Sequence, residues 1–468
     1  MYADRPRHAP LMSTRCSADP MSVAGYRPRT RLRRALGFPA AVVLVTMACV
    51  GGMAEQSGER EAFVRWAGSH TAPVSGLGAT IGDARVVALG EANHGVEEAL
   101  ALRNEVFRQL VETRSFTAIA IETGYAESLR LGDYIAGGPG EAAEIARASF
   151  TSGFGNFQAN ADLIAWMRAY NRTARPEQRL RLFGIDLSLG GPTGSWSTMA
   201  PVECALRGLQ PAAPGEAERL RLAFSSGVGR LVAAQRDFSA ADHAAYDAFA
   251  RDLEEATRRA GDTAAARCAT IARQAGEVHR VAPLPAPGGV PPDAWRTLEA
   301  RGRAMADNAL WALEQLGPGE RLLVFAHNAH VMNADRRGGH LSGLARPPRS
   351  MGQRLRDVLG ASLVIVAEAA PGAALDQTEL GDVLRAVGTA PFLLDLRPAS
   401  GAARSWLDRP QRLRAYGNSE SVVTPSSAFD IVVVQERHTP ARQITAADRG
   451  ARLPIMRVER PLARAPRS

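Results

Sequence analysis

Seven short apolar runs, separated by stretches with helical spacing, constrain this 468-residue chain more than any other feature. They are "VVALG" (86–90), "TAIAIE" (117–122), "RLRLFGID" (179–186), "RLLVFAH" (321–327), "SLVIVAE" (362–368), "PFLLDL" (391–396) and "FDIVVVQE" (429–436). Several are apolar at every position, which a strand tolerates only when both of its faces are covered. The intervening "EEALALRNEVFRQLVETR" and "MGQRLRDVLG" repeat apolar residues at helical spacing. Strands alternating with helices predict an α/β fold, with a central, largely parallel sheet flanked by helices. Residues 214–282 depart from this rhythm: they are rich in Ala, Arg and Glu and carry no strand pattern. They read as a helical insertion forming part of the cleft, closed by the Pro/Gly-rich "APLPAPGGVPPDAW".

The two ends differ from the rest. Five arginines in "RPRTRLRR" precede an apolar segment and then small residues, the order of a secretory signal. Residues 1–54 are therefore expected to be a signal peptide or N-terminal anchor, with Met21 an alternative start and "TMAC" at Cys49 a poor lipoprotein site. The chain is expected to be exported, touching a membrane only through that segment. The core is assigned to 55–441, and 442–468 to a basic tail. Cys16 and Cys49 fall in the leader, which leaves Cys204 and Cys268 either to pair or to stay as buried thiols. The absence of any CxxC gives no support to a cysteine-bound zinc. The net charge of +8 invites a nucleic-acid reading, but every basic residue is Arg and much of the excess sits at the two ends. No aromatic-rich basic stripe accompanies it, so no nucleic-acid partner is expected. Oligomeric state is not legible.

Chemistry concentrates where the strands end. The first run continues as "VVALGEANHG", placing Glu91 and His94 at its exit. The second ends in Glu122 of "AIETG", the third in Asp186 of "FGIDL", and the fourth opens into "FAHNAH" with His327 and His330. In parallel α/β sheets ligands bind beyond the carboxyl ends of the strands, so groups far apart in sequence can converge there. One strand-end carboxylate alone is more often a helix cap or loop acceptor; the joint pattern argues for a site. His70, His243, His279, His340 and His438 lack such placement and read as surface or structural. No G-x-S-x-G elbow provides a serine nucleophile.

These motifs resemble the erythromycin esterase family, which includes proteins described as succinoglycan biosynthesis proteins. The resemblance rests on "GEANHG", on Arg103 beyond it, on "IETG" and on "FAHNAHV". It extends through "LIAWMRAYN", "RAMADNALWAL", "SMGQRL" and "AFDIVVVQERHTPA", over about residues 60–441. It implies a hydrolase that opens an ester or macrolide lactone with water, without a covalent intermediate and without a cofactor. By the same resemblance His94 is the general base, and Glu91 or Glu122 orients it. Arg103 would fix a carboxylate or counter the oxyanion, and His327 and His330 would assist the lactone oxygen or the leaving alkoxide. The chain departs from the family at Val96, Glu97 and Glu98, at Gly302 after Arg301, and at Gln158 and Ala159. Two alternatives stay open: a metal held by Glu91, His94, Glu122, His327 and His330, and a non-catalytic glycan-binding protein of envelope polysaccharide production.

Overall fold

The computed structural model describes residues 57–190, 195–228, 238–281, 290–369, 379–414 and 420–445. The expected leader, 1–54, and most of the expected tail lie outside the described residues. All seven apolar runs form strands of one eight-stranded sheet. We number them β1 (Thr71–Ala72), β2 (Val86–Glu91), β3 (Phe116–Gly124), β4 (Arg181–Asp186), β5 (Arg321–His327), β6 (Leu363–Ala369), β7 (Phe392–Asp395) and β8 (Ile431–Val434). The two-residue β1, too short to leave a pattern, is the strand of this sheet that the sequence did not announce.

The spatial order is β1-β7-β8-β6-β2-β5-β3-β4. From β8 to β4 every neighbouring pair is parallel, whereas β7 runs antiparallel to both β8 and β1. Alternation along each strand sorts side chains to opposite faces. Val86, Ala88, Ala118, Ala120, Leu322 and Val324 pack in one core layer, and Val87, Leu89, Ile119, Ile121, Leu323 and Phe325 pack in the other. That double covering is why β2 and β3 are buried at every position.

The order places β5 between β2 and β3, although the chain reaches it only after β4 and the insertion. Its carboxyl end therefore lies between those of β2 and β3, a switch point at which side chains from three separate stretches meet.

The insertion is helical, as its composition implies, and begins earlier than residue 214. Its described helices are α1 (Met199–Leu209), α2 (Pro214–Ala223), α3 (Ala240–Ala260) and α4 (Thr263–Val281). They share a third apolar core with Tyr125, Leu187, Ala300 and Ala304. Cys204 and Cys268 are bonded, joining α1 to α4 across 64 residues. Losing a cross-link over a loop of that length costs about 4 kcal/mol in the chain-entropy description. A Cys204→Ser, Cys268→Ser double variant should therefore unfold at markedly lower urea concentration, with wild-type stability in the variant counting against the bond. Among the described residues no helix is long and apolar enough to cross a membrane.

Candidate active site

Each site residue is delivered by the end of a core element. Glu91 is the last residue of β2, and the chain turns immediately after it through Gly95, whose φ of 70° is the left-handed conformation that favours glycine. Gly90 matters for a different reason: a Cβ there would collide with the side chain of Asn328 at the exit of β5. The tight packing of β2 on β5 thus needs a residue without a side chain. The turn brings His94 back onto Glu91, with Nδ1 2.6 Å from Oε1. Because Glu91 can only accept when ionised, Nδ1–H donates and Nε2 is left as the basic nitrogen. Nε2 lies 4.0 Å from Glu122 Oε1, beyond hydrogen-bond range.

Glu122, near the end of β3, is the hub. Its Oε2 accepts the backbone N–H of His327 at 3.0 Å. Its Oε1 accepts from Arg301 Nη2 at 2.9 Å and lies 3.3 Å from His330 Nε2. Arg301 also grips Asp186, at the end of β4, through Nε at 3.0 Å and Nη2 at 2.6 Å, a two-pronged pair. The sequence pattern left Arg301 and Asp186 outside the expected catalytic set. Arg301 sits mid-helix, in α5 (Trp295–Glu314), where nothing local distinguishes it from a solvated arginine. Its position before Gly302 was the signal available.

Burial and pairing set the protonation states. Burial pushes Glu91 above the ordinary carboxylate value, and the hydrogen bond with His94 pulls the other way. Burial would lower the His94 imidazole, but the hydrogen bond to Glu91 and the charges of Glu122 and Glu91 outweigh it and raise its pKa. Burial opposes ionisation of Glu122 too, yet His330, His94 and Arg301 hold it well below the usual carboxylate range. Burial lowers His330, which stays neutral.

Two residues foreseen as acting on substrate are committed elsewhere. His327 Nε2 lies 2.7 Å from the carbonyl oxygen of Ala92, which can only accept, while Nδ1 receives the N–H of Ala329 at 3.1 Å. The ring is thereby fixed as one neutral tautomer with both nitrogens used, and burial brings its pKa to about 3. His327 holds the loop that carries His94. Arg103 is 1% exposed and bonds Asn104 and Asn160, with its guanidinium 5.0 Å from the centre of the Phe325 ring. Burial pushes it down to about 10. It braces the floor of the site, held there by Asn104 and Asn160. His330 differs, since its Nδ1 has no partner among the described residues.

A second, unforeseen pair supports the same loop. Glu368 on β6, fully buried, accepts the Ala92 N–H at 2.9 Å and lies 2.6 Å from His438 Nε2. The Ala92 peptide is thus held at its N–H by Glu368 and at its C=O by His327. His438 belongs to a C-terminal strap that bridges Val96 through Pro440 and Phe157 through Gln443. Glu98 accepts from the N–H and hydroxyl of Thr439, and Glu97 accepts the Arg442 N–H. The departures at Glu97 and Glu98 therefore anchor this strap.

Glu91, Arg103, Glu122, Phe154, Phe157 and Asn160 enclose a cavity of about 10 Å³, the space of a single water. A far larger cavity, about 840 Å³, lies near Arg179, Arg181 and Asp133 and includes none of these site residues. Size does not mark the site here; the convergence of ionisable groups does. His94, with 20% of its side-chain surface exposed, is the most open of them. Among the described residues no three His, Cys, Asp or Glu side chains are grouped so that they could hold a metal ion. Within the ligand set considered from sequence, Glu91 pairs with His94 and Glu122 with His330, while His327 is bonded to backbone at both nitrogens.

Comparison with known proteins adds independent findings. The family model described as erythromycin esterase matches residues 111–438. The match begins beyond Glu91, His94 and Arg103, so those three rest on the geometry above. The chain is 27% identical over 306 residues to the erythromycin esterase type II of Escherichia coli, covering 60% of this chain and 67% of that protein. Among solved structures, a succinoglycan biosynthesis protein matches with a TM-score of 0.67 at 19% identity, covering 82% of this chain and 98% of that one. An erythromycin esterase mutant, EreC in its open conformation, matches with a TM-score of 0.57 at 18% identity, covering 78% and 94%. At such identities these structures speak for the fold alone.

Proposed function

The chain belongs to the erythromycin esterase family, and from that premise we propose that it hydrolyses carboxylic esters of the macrolide-lactone type, with His94 as the general base. The observation that carries this reading is the 2.6 Å contact of His94 Nδ1 with buried Glu91, on the most exposed ionisable group of the cluster. Nε2 takes a proton from water, whose oxygen adds to the ester carbon while the carbonyl electron pair moves to oxygen. Glu91 stabilises the imidazolium as it forms. The C–O bond to the alcohol then breaks, and the proton returns to the leaving oxygen. His330, whose Nε2–H faces Glu122, presents an open Nδ1 that can accept from the alcohol O–H once the proton has returned. No step requires a metal, a cofactor or a covalent acyl-enzyme. With the leader expected from its sequence, the protein is proposed to act on small-molecule esters outside the cytoplasm.

The test is a hydrolysis screen of the purified chain against macrolide lactones, aryl esters and acylated glycans, with and without chelator. Ring-opened macrolide, heavier by one water, supports the named substrate. Cleavage of glycan esters alone keeps the hydrolase and removes the macrolide, and cleavage of nothing favours a glycan-binding role.

The raised pKa of His94 has a kinetic consequence. A base works only when deprotonated, so kcat/KM should fall on acidification with its acid limb above the ordinary histidine value of 6.5. Glu91→Gln removes a charge that raises His94, and the limb should move to lower pH. A limb that stays in place in the variant assigns the titration to another group.

A further inference from the structure

Addition of water to an ester leaves negative charge on the former carbonyl oxygen, and hydrolysis delivers that oxygen as part of a carboxylate. Hydrogen-bond donors must meet it, and an arginine supplies both donors and charge. Arg301 is not available, because Asp186 and Glu122 already neutralise it and Nη1 lies 3.3 Å from His330. Arg103 is sealed against Asn104, Asn160 and Phe325. A third arginine, absent from the sequence motifs, stands six residues beyond His330 on the same segment.

The backbone of Arg336 is fixed, its N–H bonded to Pro348 O at 3.0 Å. Its neighbour Asp335 is taken up by Gln353 and Arg337. The Arg336 side chain itself has no such engagement: Nε is buried without a hydrogen-bond partner, and no carboxylate pairs with the guanidinium among the described residues. It is close enough to Arg301, Glu122 and His330 to interact electrostatically with each. Burial and the like charge of Arg301 bring its pKa down to about 10. A guanidinium that feels another guanidinium, while Glu122, the carboxylate that favours its charge, is taken by other donors, is costly unless an anion completes it.

We propose that Arg336 is the residue that contacts the reacting acyl oxygen, as the oxyanion when water adds and as the carboxylate of the product. The assignment rests on the ester-hydrolase reading for its first half. It stands on its own for carboxylate binding. Arg336 and His330 then flank the two oxygens of the ester, the first taking the carbonyl oxygen and the second the leaving one.

Two measurements on the full chain test it. In turnover of whichever ester the screen identifies, Arg336→Gln should lower kcat by about 100-fold or more with KM changed little, and Arg336→Lys should recover part of the loss. In calorimetry, wild type should bind phenylacetate more tightly than uncharged phenylacetamide, a preference that Arg336→Gln abolishes and His94→Asn retains. Thermal melting checks that the variants fold, and Arg336→Lys carries the test if the glutamine variant does not. A kcat within threefold of wild type in Arg336→Gln, a carboxylate preference that survives it, or no preference in wild type overturns the proposal. If no ester is cleaved, the hydrolase reading falls while the calorimetry still decides Arg336.

Discussion

His94→Asn should leave the protein folded and reduce ester turnover by about 100-fold or more. Asparagine can still donate a hydrogen bond toward Glu91 Oε1, which His94 Nδ1 reaches at 2.6 Å, so the turn after β2 keeps its anchor. It has no nitrogen able to accept a proton from water. The expected loss, about 2.7 kcal/mol of barrier or more, is thus chemical in origin. Steady-state kinetics with a melting curve separate the two contributions. A variant that melts like wild type and still turns over near its rate would remove His94 from the mechanism.

Glu122→Gln should damage stability and turnover together. The carboxylate accepts from Arg301, from the His327 backbone and from His330 while almost wholly buried. Replacing it with a neutral amide leaves Arg301 with Asp186 alone and presents the amide NH₂ to groups that are themselves donors. Breaking one side of a buried ion pair typically costs about 3–5 kcal/mol. The sign of its pH dependence follows from the carboxyl being held well below 4.5 in the folded protein. Its stabilisation is complete above the unfolded value and is lost as pH falls toward the folded one. Urea denaturation should therefore show a full deficit in the variant at neutral pH, narrowing as the solution is acidified below about pH 4.5. A deficit under 1 kcal/mol at pH 7, or one independent of pH, would mean that Glu122 is not the charge that organises Arg301 and His330.

The sequence by itself determined the fold class and the local half of the site. Unbroken apolar runs in strands such as β2, β6 and β8 encode burial on two faces, a property each strand carries regardless of its neighbours. Glu91 and His94 are three residues apart, so one turn suffices to join them; "GEANHG" marked both, and the structure chose Glu91 over Glu122 as the hydrogen-bond partner. Placement at strand ends likewise marked Glu122 and His330. Tertiary structure decided the rest, because strand order determines which distant groups meet. Setting β5 between β2 and β3 puts the Ala92 carbonyl against His327, turning a foreseen substrate contact into a brace for the loop. Arg301 becomes a partner of Asp186 only because α5 packs beside β4, and 115 residues of chain separate the two. Glu368 and His438, 70 residues apart, meet only where the strap crosses the end of β6. Periodicity reports whether a residue is buried. Which charge waits for it inside is a matter of packing between elements that no local pattern records.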